Sequence, residues 1–172
     1  MEERLKKAIR SIPDFPKKGI LFRDITTLLK DQAIFAEAIE MLAKRHEGKG
    51  IGKIVAMESR GFILGTPLAY LLKAGFVPVR KKGKLPAETY DVSYELEYGT
   101  DRLEIHKDAI ESGEKVLIID DLLATGGTAA ATVELLKNFD AEIAGIDFLI
   151  ELTDLKGRDK LKGYDVFALI KY

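Results

Sequence analysis

The sequence predicts an α/β domain with a mostly parallel central sheet flanked by helices, and three observations predict it. KIVAME, FVPVR, KVLIID and EIAGIDFLIEL are nearly continuous apolar runs, as expected of strands covered on both faces. Segments of helical period alternate with them, the chain order of parallel strands joined by crossover helices. The 172 residues hold no internal repeat, low-complexity tract or linker, so one domain spanning 1–172 is expected.

Each element follows in turn. Leu5, Ala8, Ile9 and Ile12 recur at helical spacing, predicting a first helix over residues 2–12 that Pro13 and Pro16 end. GILFRD, residues 19–24, is a short apolar island in a loop region. Asp31 is placed to N-cap a long helix with Ile34, Phe35, Ala38, Ile39 and Leu42 on one face. EGKGIGK then breaks the chain before a strand at 53–58. ESRGF leads into the helix GFILGTPLAYLLKAG, and FVPVR is the next strand. Residues 81–91 are polar and basic, with Gly83 and Pro86, and read as a long mobile loop. YDVSYELEYG alternates at Val92, Tyr94, Leu96 and Tyr98, and Leu103 and Ile105 alternate after Gly99-Thr100. The stretch at about 81–106 is therefore expected to be a loop and antiparallel hairpin at the ligand edge of the sheet. A short helix, strand KVLIID, a loop and helix TAAATVELLKNF follow. EIAGIDFLIEL, a basic loop and strand YDVFALIKY complete the chain, and both histidines, His46 and His106, are expected to face solvent.

Composition narrows the function. Twenty-seven Lys and Arg against 28 Asp and Glu give a net charge of −1, so neither nucleic acid nor a membrane is an expected partner. The absence of Cys excludes disulfides, thiolate nucleophiles and thiolate metal sites. MEERLKKAIRSIP lacks an apolar signal core, and FILGTPLAYLL is too short to span a bilayer before Lys73, so a cytoplasmic location is expected. GKGIG precedes a strand instead of following one, and no G-x-x-x-x-G-K-[ST] occurs, so neither a dinucleotide fingerprint nor a P-loop is present.

The stretch VLIIDDLLATGGTAAAT carries the chemistry. Ligands of open α/β sheets bind beyond the carboxyl ends of strands, where Asp120 and Asp121 fall. In Ala124–Thr128, Gly126 and Gly127 let backbone approach a ligand, the following helix start offers unpaired N–H groups, and Thr125 and Thr128 add hydroxyls. That combination cradles one phosphate. Carboxylates beside it would repel a bare anion, but they suit sugar hydroxyls or Mg²⁺. A ribose bearing a 5-phosphate satisfies both halves.

Strand, acidic pair and Thr-Gly-Gly-Thr loop in this order resemble the signature of type I phosphoribosyltransferases, which bind phosphoribosyl pyrophosphate. IPDFPKKGILFRDIT, ESRGF, RKKGKLPAET, YELEYG and ELTDLKGRDKL resemble, in order, segments of the branch of that family that uses adenine, over essentially the whole chain. The resemblance implies the type I phosphoribosyltransferase fold, an N-terminal hood over the base at about residues 1–30, and a flexible hairpin lid. It implies Mg²⁺-dependent transfer of phosphoribosyl to N9 of adenine, giving AMP and diphosphate, with Mg²⁺ held mainly by substrate and water, and a homodimer.

Site roles follow residue by residue. Asp120, Asp121, Ala124, Thr125, Gly126, Gly127 and Thr128 are expected on the ribose and 5-phosphate. Glu58, Ser59 and Arg60 are expected on the pyrophosphate, with a non-proline cis peptide before Ser59, and Arg80, Lys84 and Tyr98 join them. Arg60 and Lys84 would stabilise charge on the leaving group, and Glu97 is the implied base for the N9 proton. From the residues alone Glu97 can equally pair across the hairpin with Arg102, and the Arg80–Lys84 cluster can be a solvated basic loop. Leu21, Phe22 and Arg23 are expected at the adenine, Phe22 by stacking and its neighbours through backbone, although Phe22 can also fill the core. The signature alone admits another base, or a non-catalytic phosphoribosyl pyrophosphate sensor. The hood and the hairpin favour adenine chemistry, and the chain has no basic excess for DNA.

Overall fold

The computed structural model describes residues 2–96 and 99–172. Helices α1 (Glu2–Ala8), α2 (Thr26–Leu29), α3 (Gln32–His46), α4 (Arg60–Leu72) and α5 (Gly127–Leu136) surround two sheets. The smaller sheet pairs β1 (Arg10–Pro13) antiparallel with β2 (Leu21–Asp24). The larger contains β3 (Lys53–Met57), β4 (Gly75–Lys81), β5 (Thr89–Leu96), β6 (Gly99–His106), β7 (Lys115–Leu123), β8 (Glu142–Glu151) and β9 (Val166–Lys171). Its order is β5-β6-β4-β3-β7-β8-β9, and β4, β3, β7, β8 and β9 run parallel. The β5–β6 hairpin joins β4 through Arg80 opposite Glu104 and Lys81 opposite Leu103, so it leaves the sheet at the carboxyl end of β4.

The period of two along the strands builds a core on each face. Ile54, Ala56, Leu117 and Ile119 face α3 and α4, packing with Leu42, Leu64 and Leu68. Val55, Met57, Val116 and Ile118 face the opposite side, packing with Leu135 and Leu136 of α5. Asp31 caps α3 as expected, accepting from Ala33 N at 3.1 Å and Ile34 N at 3.0 Å.

Four expectations are corrected. The first helix stops at Ala8, and Ile12 lies in β1 opposite Phe22. Proline extends the residue before it, so Pro13 holds Ile12 in a strand that the supposed loop island can pair with. The mobile loop at 81–91 shrinks to residues 82–88, because β4 runs through Lys81 and β5 begins at Thr89. The buried Glu104 carboxylate ties that connection down, accepting from Lys84 N at 2.9 Å and Leu85 N at 2.8 Å. The short helix expected before β7 is a set of turns, with Glu111 N donating to the Glu114 carboxylate at 3.1 Å. His46 is buried, not solvent-facing, with Nε2 2.7 Å from Oδ2 of the equally buried Asp147. His106 is half-buried at the end of β6.

Candidate active site

Two helices start at the same sheet edge. After β3 the chain turns through Glu58 and Ser59 into α4, and the Glu58–Ser59 peptide is cis, as expected. After β7 it turns through residues 124–126 into α5. Both helix N-termini therefore aim unpaired N–H groups at one cleft. Gly61 permits the approach of α4 to β7. A Cβ there would lie 2.9 Å from Asp120 Oδ1 and 3.2 Å from Ile119 O.

The acidic pair lies within β7 and not beyond it, since the strand continues to Leu123. Asp121 N donates to Asp120 Oδ1 at 2.8 Å, and Arg60 Nε donates to Asp121 Oδ2 at 2.5 Å. Burial, then the neighbouring Asp121 charge, push the Asp120 carboxyl well above its ordinary 3.8. A site that holds two carboxylates this close, one already bound by arginine, is primed to take hydroxyl donors or a cation.

A cavity of about 390 Å³ opens above them. It gathers Glu58, Ser59, Arg60, Asp120, Asp121, Ala124 and Thr128 from the expected set. A smaller recess of about 70 Å³ adjoins it, lined by Thr125, Gly126 and Gly127 of the loop. Gly126 takes φ 78°, and a Cβ there would collide with the carbonyl of Gly157. Gly157, at the start of the 3₁₀ turn Gly157–Leu161, likewise has no room: a Cβ would lie 3.0 Å from Gly126 N. The basic loop expected after β8 is thus the floor of the phosphate loop. Arg158 fixes it by donating to the Glu151 carboxylate at 2.6 and 2.7 Å and to Val166 O at 2.6 Å.

Arg80 and Lys84 stand one step behind the cavity. Arg80 donates to Glu58 Oε2 at 3.1 and 3.2 Å, Lys84 Nζ is 3.9 Å from the same oxygen, and Arg80 Nη1 donates to Lys84 O at 3.3 Å. Lys81 lines the cavity instead, with Nζ 2.9 Å from Asp101, whose hydrogen bond raises the lysine pKa. Tyr94 also lines it and shares a hydrogen bond with the Thr128 side chain. Neither was among the expected residues. The alternation of Val92 and Tyr94 was the available signal for one. The run RKK carries no phase, so it could not single out the other. Glu97 and Tyr98 lie outside the described residues.

A third cavity, about 320 Å³, sits under the hood. Phe22 and Arg23 line it, with Ile12, Phe15, Asp24, Ile25, Thr26 and Arg60. Leu21 is instead 48% exposed outside that lining, opposite Pro13. Phe22 does not fill the core: it meets Phe15 edge to face at 5.1 Å, and the Arg60 guanidinium lies 5.9 Å from its ring centre. Asp24 fastens the hood through Thr26, which donates its hydroxyl at 2.7 Å and its N–H at 3.0 Å, and through Arg10 at 2.5 and 3.1 Å. Those bonds, the Thr26 hydroxyl first, lower the Asp24 pKa to about 2. Arg60 borders both the hood cavity and the acidic cavity.

Comparison with known proteins is consistent across sequence and structure. A family model described as phosphoribosyl transferase domain matches residues 24–170. The adenine phosphoribosyltransferase of Halothermothrix orenii is 60% identical over 167 residues, covering 97% of this chain and 98% of that protein. The crystal structure of the adenine phosphoribosyltransferase from Thermoanaerobacter pseudethanolicus superposes with a TM-score of 0.96 at 59% identity, covering all of both chains. That of the Saccharomyces cerevisiae enzyme, complexed with an imino-altritol bisphosphate and adenine, superposes at 0.92 with 44% identity, covering 98% of this chain and 97% of that one.

Proposed function

This chain belongs to the phosphoribosyl transferase family, and on that premise we propose that it works as an adenine phosphoribosyltransferase. It joins N9 of adenine to C1 of phosphoribosyl pyrophosphate, and gives AMP and diphosphate. The observation that carries this reading is the junction at Arg60, which borders an aromatic cavity on one side and an acid-and-phosphate cavity on the other. A flat base and a phosphorylated sugar bound in these two cavities meet at Arg60.

The chemistry breaks the C1–O bond, whose electron pair leaves with diphosphate, while N9 bonds C1 and gives up its proton. Residues 124–128 hold the 5-phosphate through backbone N–H groups and hydroxyls. Asp120 and Asp121 accept from the ribose hydroxyls. Arg60 donates to the departing diphosphate, which is electrostatic stabilisation where charge develops. Binding of diphosphate draws Arg80 and Lys84 from Glu58. Glu97 takes the N9 proton and Tyr98 contacts the diphosphate, and closure of the 82–88 connection with the hairpin excludes water. In the hood, Phe22 stacks on adenine and the β2 backbone reads its edge. An acceptor facing the 6-amino group rejects a 6-oxo base.

Among the described residues no group of three or more His, Asp or Glu is placed to hold a metal. The two hard carboxylates of Asp120 and Asp121 fit Mg²⁺ that brings its other oxygens from substrate and water. Bound there, Mg²⁺ would neutralise part of the diphosphate charge. The chain also assembles as a dimer through α4, whose outer face exposes Ile63, Tyr70 and Leu71 in one stripe. Among the described residues no helix is long and apolar enough to cross a membrane.

Release of diphosphate tests the reading. Purified protein with phosphoribosyl pyrophosphate and Mg²⁺ should release it with adenine, forming AMP, and not with hypoxanthine, guanine or xanthine. Release with a 6-oxopurine would overturn the hood assignment. Silence with all four bases, despite saturable binding of phosphoribosyl pyrophosphate, would overturn catalysis.

A further inference from the structure

Resting on adenine as the base, we propose that Tyr172 is a positioning residue for base recognition, acting through Arg23. Arg23 borders the hood cavity, yet its guanidinium is engaged elsewhere. Cζ lies 3.7 Å from the centre of the Tyr172 ring, and Nη1 donates to Ser11 Oγ at 2.5 Å. Side chains alternate along a strand, so pinning Arg23 to one side of β2 turns Phe22, its neighbour, to the other. The rotation of β2 about its axis, and so the aim of its N–H and C=O groups, is set by where Arg23 is held.

Tyr172 is itself anchored to the sheet rather than to the hood. Its N–H donates to Glu151 O at 2.9 Å, and its carbonyl accepts from Thr153 N at 2.9 Å and Thr153 Oγ1 at 2.7 Å. Glu151 carries Arg158, in the turn that floors the phosphate loop, and Leu152 N donates to Leu123 O at 2.9 Å just before that loop. Lys6 holds the ring as well: its Nζ is 5.6 Å from the ring centre, and the phenol donates to Lys6 O at 3.4 Å. A cation stacked on this half-buried ring ties the base-reading ribbon to the framework that holds the sugar phosphate.

Steady-state kinetics with each substrate varied in turn separates this role from a structural one. Y172A should raise the adenine KM about fivefold, the scale of one partly exposed cation–π contact, while the phosphoribosyl pyrophosphate KM moves less than about twofold. Y172F keeps the ring face and should restore the adenine KM. R23M should reproduce the rise, and the R23M/Y172A double variant should be no worse than either single one. Should Y172A fail to fold, Y172L removes the ring and keeps bulk, with the same expectation. An unchanged adenine KM, an equal rise for both substrates, or additive losses in the double variant would each overturn the proposal. Wild-type protein that releases diphosphate with adenine alongside any of these results loses only the role of Tyr172. Wild-type protein inactive with adenine loses the base assignment and this role with it.

Discussion

Arg60, in the first turn of α4, and Asp121, near the end of β7, meet at 2.5 Å across the cleft. The contact joins the start of α4 to strand β7, which supply opposite halves of the site. It also holds the guanidinium 5.9 Å from the centre of the Phe22 ring.

Arg60→Ala should therefore cost turnover more than folding, because the side chain is 46% exposed. Loss of one preorganised donor to a developing anion lowers kcat by about 10² to 10³. Arg60→Lys should recover little of it, since an ammonium cannot span Asp121 and diphosphate with a planar fork. Single-turnover rates with adenine check both, and a loss confined to KM would contradict the leaving-group role.

Asp120→Asn should stabilise the protein and weaken it as an enzyme. The Asp120 pKa is raised, so the folded state binds this proton more tightly than the unfolded chain. Its ionisation disfavours folding as pH rises through that raised value. The variant should melt higher than wild type at neutral pH, and the difference should vanish below pH 3.8, the ordinary value. Affinity for phosphoribosyl pyrophosphate should fall while adenine binding holds. Thermal melts across pH and titration with each substrate measure the two effects.

Gly157→Ala adds one methyl group far from the acidic pair in sequence, yet it should damage the 5-phosphate site. The methyl has Ala124 O and Gly126 N as neighbours, so the phosphate loop must shift to admit it. Overpacking of this kind costs about 1–3 kcal/mol. The phosphoribosyl pyrophosphate KM should rise with little change in that of adenine, and AMP should lose affinity where adenosine does not.

Acid should loosen the hood before the sheet. The Asp24 pKa is lowered from 3.8 to about 2, so its contribution is complete above 3.8 and is lost as pH falls toward 2. Amide exchange in residues 10–26 should accelerate across that interval, while β3 and β7 stay protected. Asp24→Asn should show the looser hood already at neutral pH.

Tyr70→Glu should leave the monomer fold intact and split the proposed dimer. Tyr70 is 84% exposed, so the carboxylate costs nothing until a second copy covers it. Light scattering of the two proteins decides, and unchanged mass would move the interface off α4.

The parts legible in the sequence were those whose physics is local. Strands at 53–57 and 115–123 announce themselves as apolar runs, and residues 120–128 carry carboxylates, hydroxyls and glycines in a single stretch. What stayed hidden depends on contacts between distant segments. Asp147 inside an apolar strand required a buried partner, but nothing in its neighbourhood named His46, 101 residues away. Gly157 stands out only against Gly126. Ile12 read as helical because its strand partner was in a segment too short to declare itself. Lys81 lines the cavity while Arg80 turns to Glu58 because adjacent strand residues point oppositely, and strand phase is invisible in a run of three cations.

Among the described residues, the hood cavity draws all its lining except Arg60 from one uninterrupted piece of chain, residues 12–26. The sugar-phosphate cleft is assembled from the turn after β3, the start of α4, the end of β4, the hairpin, β7 and the loop into α5, so no single excision removes it. On the proposed function, base preference should therefore be a graftable trait: a replacement cassette spanning residues 12–26, matched to Arg60 and to the framework beneath, should be exchangeable while the transfer machinery is left in place.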